Sequence, residues 1–255
     1  MTTVSDVNPA QRDLRFFRTM ITAMAAVLVS GFVLQLAMGR SSFGAPLIVH
    51  LHAFAFMGWV AIVVTQVWLV AGGRAGLHRT LGGLAAAWLC ALLALGPMVT
   101  LAAVRTGRVP FFFVPQHFLL VNSATLFAAA GLVIAALALR RNRDWHPRLQ
   151  IGAFMMLMGP GIGRIIPMPL LAPYAFEIAS VIPLIVPLVG MARDRRVHGK
   201  VHPAWGWSIG VLVAVLIAAR LVAFSPVGDA AYAAAAAGSP AAGSDGRAFP
   251  PPPPH

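Results

Sequence analysis

HLHAFAFMGWVAIVVTQVWLVAGGRAGLHRTLGGLAAAWLCALLALGPMVTL (residues 50–101) decides the fold. Two long apolar runs are joined by a glycine-containing turn in which Arg74, His78 and Arg79 are the only ionisable residues. About 20 apolar residues are what an α-helix needs to cross the roughly 30 Å hydrocarbon core of a bilayer. In hydrocarbon each backbone amide must be paired within its own helix or a closed barrel. Barrel strands would alternate in segments of about ten residues, and these runs do not alternate. Helices in a membrane are the remaining choice.

The same unit recurs along the chain. Apolar segments at about 17–39, 48–72, 80–104, 112–139, 147–167, 171–192 and 205–224 predict a polytopic, all-α bundle of seven transmembrane helices over residues 17–225. A basic segment, 1–16, precedes it. Residues 226–255 are rich in Ala, Gly and Pro and end in FPPPPPH. That composition predicts a disordered tail with a polyproline II end. The first apolar run is longer than a signal-peptide core, and QLAMGRSSF is a poor cleavage site, so it is read as an uncleaved helix.

Composition agrees. Of 255 residues, 59% are hydrophobic and 10% charged, against about a quarter charged in soluble domains. The net charge is +12, and eight histidines outnumber seven acids. Cys90, the one cysteine, leaves no intrachain disulfide to form. The arginines sit in short segments between apolar runs, which suits anionic lipid headgroups rather than nucleic acid. Arg12, Arg15, Arg18, Arg74, Arg79, Arg140, Arg141, Arg143, Arg148, Arg193, Arg195, Arg196 and Lys200 fall on one side of a seven-span arrangement. Arg40, Arg105 and Arg108 fall on the other. The positive-inside rule then predicts a bacterial inner-membrane protein with a cytoplasmic N-terminus and a periplasmic C-terminus.

Depth follows from that topology. His50, His52, Gln116, His117, Asn122 and Ser123 lie in the outer parts of the second and fourth helices. Arg164 is 18 residues beyond His146, or about 27 Å at the helical rise, near the outer end of the fifth. Glu177, in the first turns of the sixth, is the only acid that these spans contain, and none contains Asp. Ionisable groups inside a membrane are costly and mark functional sites by default. His50, Trp59, Gln66, Asn122, Arg164 and Glu177 are therefore candidate lining residues of an outer cavity. His52, Trp59 and Gln66 are spaced by seven and form one stripe with Phe56 and Val63. His78 and His146 start the third and fifth helices at the inner side. His198 and His202 lie in a basic loop suited to headgroups. In the fifth helix, Pro160 predicts a kink, while Gly159, Gly161 and Gly163 permit close backbone approach.

Two same-depth histidine pairs on alternate helices emerge: His52 with His117 outside, His78 with His146 inside. Neutral imidazole is a usual axial ligand of haem iron. The expectation is haem b, with the iron held most plausibly by His52 and His117, and a redox partner. The arrangement resembles the cytochrome b561 class of dihaem membrane proteins, whose four histidines on consecutive helices pair second with fourth and third with fifth. The blocks HLHAFAFMGWVAIVVTQVWLVAGGRAGLHRTLG and RRNRDWHPRLQIGAFMMLMGPGIGRI also resemble a family of uncharacterised bacterial multi-pass membrane proteins. The resemblance rests on His52, Trp59, Gln66, His78, Arg79, Gly82, His146, Arg148, Leu149, Pro160 and Arg164. It implies the helical membrane fold and no particular activity.

The alternatives are a cofactor-free transporter using the outer cavity, and a structural or assembly protein. Zn²⁺ at His50, His52 and His117 is chemically open, although His50 and His52 are about 200° apart around a helix. A retinal Schiff base needs a lysine within a span, and Lys200, the only lysine, is in a loop. Mg²⁺-dependent prenyl transfer needs clustered aspartates. Hydrolase, zincin and P-loop motifs are absent.

Overall fold

The computed structural model describes residues 9–41 and 43–252. Most of the basic segment's first half (1–8), Ser42, and the last residues 253–255 with His255 lie outside the described residues. Among the described residues the chain is all helix, with no strand. Its α-helices are α1 (Pro9–Ala37), α2 (Leu47–Ala71), α3 (Ala75–Arg105), α4 (Pro115–Ala138), α5 (Trp145–Met156), α6 (Gly159–Ile165), α7 (Ala175–Val181), α8 (Ile185–His198), α9 (Pro203–Ala223) and α10 (Pro226–Ala236). Six stretches are long and apolar enough to cross a membrane: Gln11–Ala37, α2, α3, α4, Ala175–His198 and α9. The protein is a multi-pass helical membrane bundle.

Sequential helices pack as antiparallel neighbours. α2 lies between α1 and α3, α4 touches α3, α5 and α9, and α6 packs on α1. One continuous core of Leu28, Phe56, Trp59, Leu92, Leu132, Phe154, Met155, Trp205 and Leu212 runs through them. The outward faces carry apolar residues such as Phe54, Leu84, Phe127, Ile134 and Leu221. That is the surface a bilayer demands, because lipid tails are as apolar as leucine. Cys90 is exposed, on such a face.

Four expectations change. α1 begins at Pro9, not near residue 17, because PAQRDLRF continues the helix beyond the apolar run. The fifth segment is two helices. α5 stops at Met156, and α6 starts at Gly159 with Pro160 in its first turn, where a missing N–H costs nothing. The sixth segment is also interrupted, with 3₁₀ turns at Met168–Leu171 and Ile182–Leu184 around α7. α8 then runs to His198, six residues past the predicted end, and stops at Gly199, whose φ of +73° suits only glycine comfortably. Asp194 therefore lies within a span, and Glu177 is not the only acid there.

The fourth change concerns the tail. Residues 226–236 are helical, and Tyr232, Ala236 and Ala241 pack on Val104 and Val109. Alanine is the strongest helix former, Ser225 caps the helix through Gly228 N–H, and an apolar ledge lies beneath. A low-complexity composition hid all three.

Candidate functional site

At the arginine-rich end, Arg148 from α5 meets Asp194 from α8 in a bidentate pair, Nε to Oδ2 at 2.9 Å and Nη2 to Oδ1 at 2.8 Å. Trp205 of α9 donates its indole N–H to Asp194 Oδ2 at 2.8 Å. Arg148 also donates to the Asp144 carbonyl at 2.9 Å. Arg148 is 2% exposed and Asp194 is completely buried. Charges at that depth persist only when paired and hydrogen-bonded, and here both conditions hold. A second pair lies beside it: Arg193 with Asp13 at 2.6 Å, the latter also 3.2 Å from His198 Nε2. These contacts tie α1, α5, α8 and α9 together at one end. Sequence reasoning missed them because Arg148, Arg193 and Asp194 read as loop residues. The glycine stop at Gly199 was the available signal for Asp194.

At the same end, His78 of α3 and His146 of α5 meet ring to ring. Their centroids are 6.4 Å apart and their planes cross at 86°. His146 Nδ1 lies 2.8 Å from the Ala136 carbonyl, which only a ring N–H can satisfy. Nδ1 therefore carries a proton, which turns Nε2 away from the Ala136 carbonyl. Gln66 comes to this site from α2: its Nε2 is 3.6 Å from where a Cβ on Gly82, one turn beyond His78, would stand. Gln66 Oε1 and His78 Nδ1 are both buried without a hydrogen-bond partner among the described residues. The α3 backbone at Gly76 and Gly83 has open space beside it.

Close by, His202 caps α9 by accepting the Ala204 N–H at its Nδ1, 3.2 Å away, and stands edge-on to Trp145. Burial, with the Arg148 guanidinium second, holds its imidazole below the ordinary histidine pKa.

The opposite end holds the other predicted residues, divided between two places. His52 stacks on Phe56, with centroids 6.0 Å apart, and Arg164 acts on it electrostatically. His117 instead faces Phe176 and Phe224. Among the described contacts the two rings share no neighbour. α4 presents His117 toward α7 and α9, and α2 presents His52 toward α1 and α6, so the anticipated outer pair is not brought together. No group of three or more His, Cys, Asp or Glu side chains able to hold a metal ion occurs among the described residues. A zinc centre of His50, His52 and His117 is therefore not assembled. His50 bonds the Phe43 carbonyl at 3.1 Å, and Asn122 turns back to the Phe118 carbonyl at 2.8 Å. Trp59 is buried in the core.

His117 does line a cavity of about 230 Å³, with Phe113, Phe176, Phe224, Glu177, Arg220 and Arg247 around it. Glu177 is ion-paired with Arg220. The C-terminal segment helps form the cavity. Arg247 grips Asp229 at 2.8 and 2.7 Å, and the Gln116 amide donates to Asp229 at 2.9 Å. Gln116 N–H binds the Gly246 carbonyl at 2.9 Å, and Arg105 binds the Ala235 carbonyl at 3.1 Å. The Arg247 guanidinium first, then the Gln116 amide, holds the Asp229 carboxyl below its usual pKa.

Fold and site together define a helical multi-pass membrane protein with a histidine pair at its arginine-rich end and an aromatic cavity at the other. Compared with known proteins, the chain matches no family model, no curated protein and no solved structure.

Proposed function

We propose that this is a bacterial inner-membrane electron-transfer protein that binds one b-type haem at its cytoplasmic end, where His78 and His146 would hold the group. The observation carrying the reading is the His78–His146 geometry. The two rings meet edge to face with centroids 6.4 Å apart, close enough for both to hold one iron. The His146 Nδ1–H is held by the Ala136 carbonyl, which is how ligating histidines are commonly oriented. The orphaned Gln66 Oε1 is available to accept the proton of His78 Nδ1, and the space beside Gly76 and Gly83 suits a flat group. Haem so held supplies one-electron transfer within the bilayer. This chain's residues orient the two imidazoles, the Ala136 carbonyl fixing the His146 ring.

The topology accompanying this reading has seven crossings, α5 and α6 together making the broken fifth. The N-terminus is cytoplasmic and the C-terminal helix periplasmic. Thirteen basic residues against three in the segments between spans support it.

The test is optical. Protein purified from haem-supplied cells should be red, with a b-type α-band in the reduced-minus-oxidised spectrum. His78→Ala and His146→Ala should each abolish the band, while His52→Ala and His117→Ala should keep it. Colourless wild-type protein overturns the reading. The cavity around His117 favours a second one, a cofactor-free transporter. In that case Glu177→Ala and His117→Ala, both on the cavity wall, should each impair uptake of a solute in proteoliposomes.

A further inference from the structure

Arg164 is a cation without a counter-charge. Every acid among the described residues is engaged elsewhere: Asp13 with Arg193, Asp144 and Asp194 with Arg148, Glu177 with Arg220, and Asp229 with Arg247. Asp245 accepts the Arg247 backbone N–H. Asp6 lies outside the described residues. Of the five guanidinium N–H donors, one hydrogen bond is made, Nη1 to the Pro160 carbonyl at 2.7 Å.

The group is nevertheless held in place. Its plane lies over the Phe32 ring at 4.1 Å, and the Gln35 amide pins the Arg164 carbonyl at 2.8 Å. Phe32 in turn meets Phe56, on which His52 stacks. His52 makes no hydrogen bond among the described residues, and its Nδ1 is buried without a partner. α1, α2 and α6 thus converge to fix one cation and one imidazole with no anion between them. Gln35, which bonds the Arg164 carbonyl, is 22 residues beyond Asp13 on the unbroken α1, about 33 Å at the helical rise. That distance spans the hydrocarbon core, so the guanidinium reaches the headgroup plane of the leaflet opposite the arginine-rich end. There the abundant anion is phosphate, which a guanidinium fork binds in two-point fashion.

We infer that Arg164, with His52 beside it, is a phosphate-binding site at that membrane face. Its ligand is the phosphodiester of an anionic lipid or free phosphate. Phe32 under the guanidinium, Gln35 on the Arg164 main chain, and Phe56 with His52 behind Phe32 form the walls of the site.

The full chain in neutral detergent is titrated with dioleoyl-phosphatidylglycerol, with dioleoylglycerol, which lacks phosphate, and with inorganic phosphate. Bound molecules are counted by native mass spectrometry. Phosphatidylglycerol should bind, and dioleoylglycerol should not. Arg164→Gln should weaken phosphatidylglycerol about tenfold, the loss of a charge-assisted hydrogen-bond pair. Arg164→Lys keeps the charge, tests folding and should be intermediate. Cys90→Ser, on an outward face of α3, should bind as wild type does. Binding of inorganic phosphate lost in Arg164→Gln would assign the site to the free anion. Equal binding of phosphatidylglycerol and dioleoylglycerol, or unchanged binding in a folded Arg164→Gln, overturns the inference.

Discussion

Arg148 and Arg164 sit on the same broken span, 16 residues apart, and their surroundings are opposite. Arg148 is sealed from solvent with a carboxylate, a main-chain carbonyl and two aromatic faces around it. Arg164 has one carbonyl and one ring, and no carboxylate among the described residues. The first arginine joins helices. The second is positioned by helices and left incomplete. A buried charge whose partners all belong to the chain, as at Arg148, is a structural element, while a half-buried one at a membrane face whose partners run short, as at Arg164, marks a place where the chain meets something else.

The sharpest way to break the comparison is to give Arg148 the condition of Arg164. Asp194→Ala leaves a buried guanidinium and the Trp205 N–H without their acceptor. It should cost about 3–5 kcal/mol, the usual penalty for stranding one half of a buried pair. Thermal unfolding in detergent should show the loss, or the protein should fail to accumulate. Replacing both partners by apolar residues, Arg148→Met with Asp194→Leu, should recover most of it. If Asp194→Ala melts with wild type, the pair is not structural. Arg164→Gln, by contrast, should leave the melting temperature of lipid-free protein nearly unchanged.

The second largest effect belongs to the α1–α6 crossing that positions Arg164. A Cβ on Gly161 would stand 2.7 Å from Leu28 Cα and 3.0 Å from Leu28 O. These are backbone atoms and cannot swing aside, so Gly161→Ala should destabilise by about 1–3 kcal/mol. Gly159 has nothing within 4 Å and Gly163 meets only the Met168 side chain. Gly159→Ala should be close to neutral in the same assay, which separates a required contact from a glycine-rich composition.

The helical membrane class was legible because it rests on a bulk quantity, the length of apolar runs. The stripe of His52, Trp59 and Gln66 was also legible, since helical spacing alone places residues on one face. What sequence could not give was the sum of two faces. Arg148 and Asp194 each read as loop charges, and only their meeting across α5 and α8 makes them core. His52 and His117 shared a depth but not a direction, and depth is all that hydropathy reports. His78 and His146, with the weaker claim by depth, turned out to face each other. The ordered tail was hidden because alanine-rich composition fits disorder and helix equally until an apolar ledge is present.

The tail offers a smaller test at the opposite end. Arg247→Ala removes both hydrogen bonds to Asp229, and exposed pairs of this kind are worth little in global stability. The effect should therefore be local. Amide hydrogen exchange over residues 228–246 should quicken while α4 keeps its protection. Because Arg247 holds the Asp229 pKa down, the folded state binds fewer protons there than the unfolded chain. Its contribution is present above the usual carboxylate range, about 3.9, and is lost as pH falls through the depressed folded value. Relative to the intrinsic exchange rate at each pH, the protection in wild type should then fall toward that of Arg247→Ala on acidification. A tail that exchanges freely at neutral pH would sink the docking.

The smallest expected effect belongs to His202, beside the Arg148 lock. Burial and the Arg148 guanidinium lower its pKa, so the folded state again takes up its proton later than the unfolded chain does. Stability is complete above about 6.5 and declines as pH falls through the folded value. Protonation also removes the Nδ1 lone pair that accepts the Ala204 N–H, loosening the start of α9. The ring is partly exposed, so solvent screening holds the whole effect to about 0.5 kcal/mol. His202→Asn supplies a capping oxygen that does not titrate in this range. Between pH 8 and pH 5 the melting temperature of wild type should fall slightly more than that of His202→Asn. Identical slopes would mean that the His202 cap does not couple the start of α9 to protons.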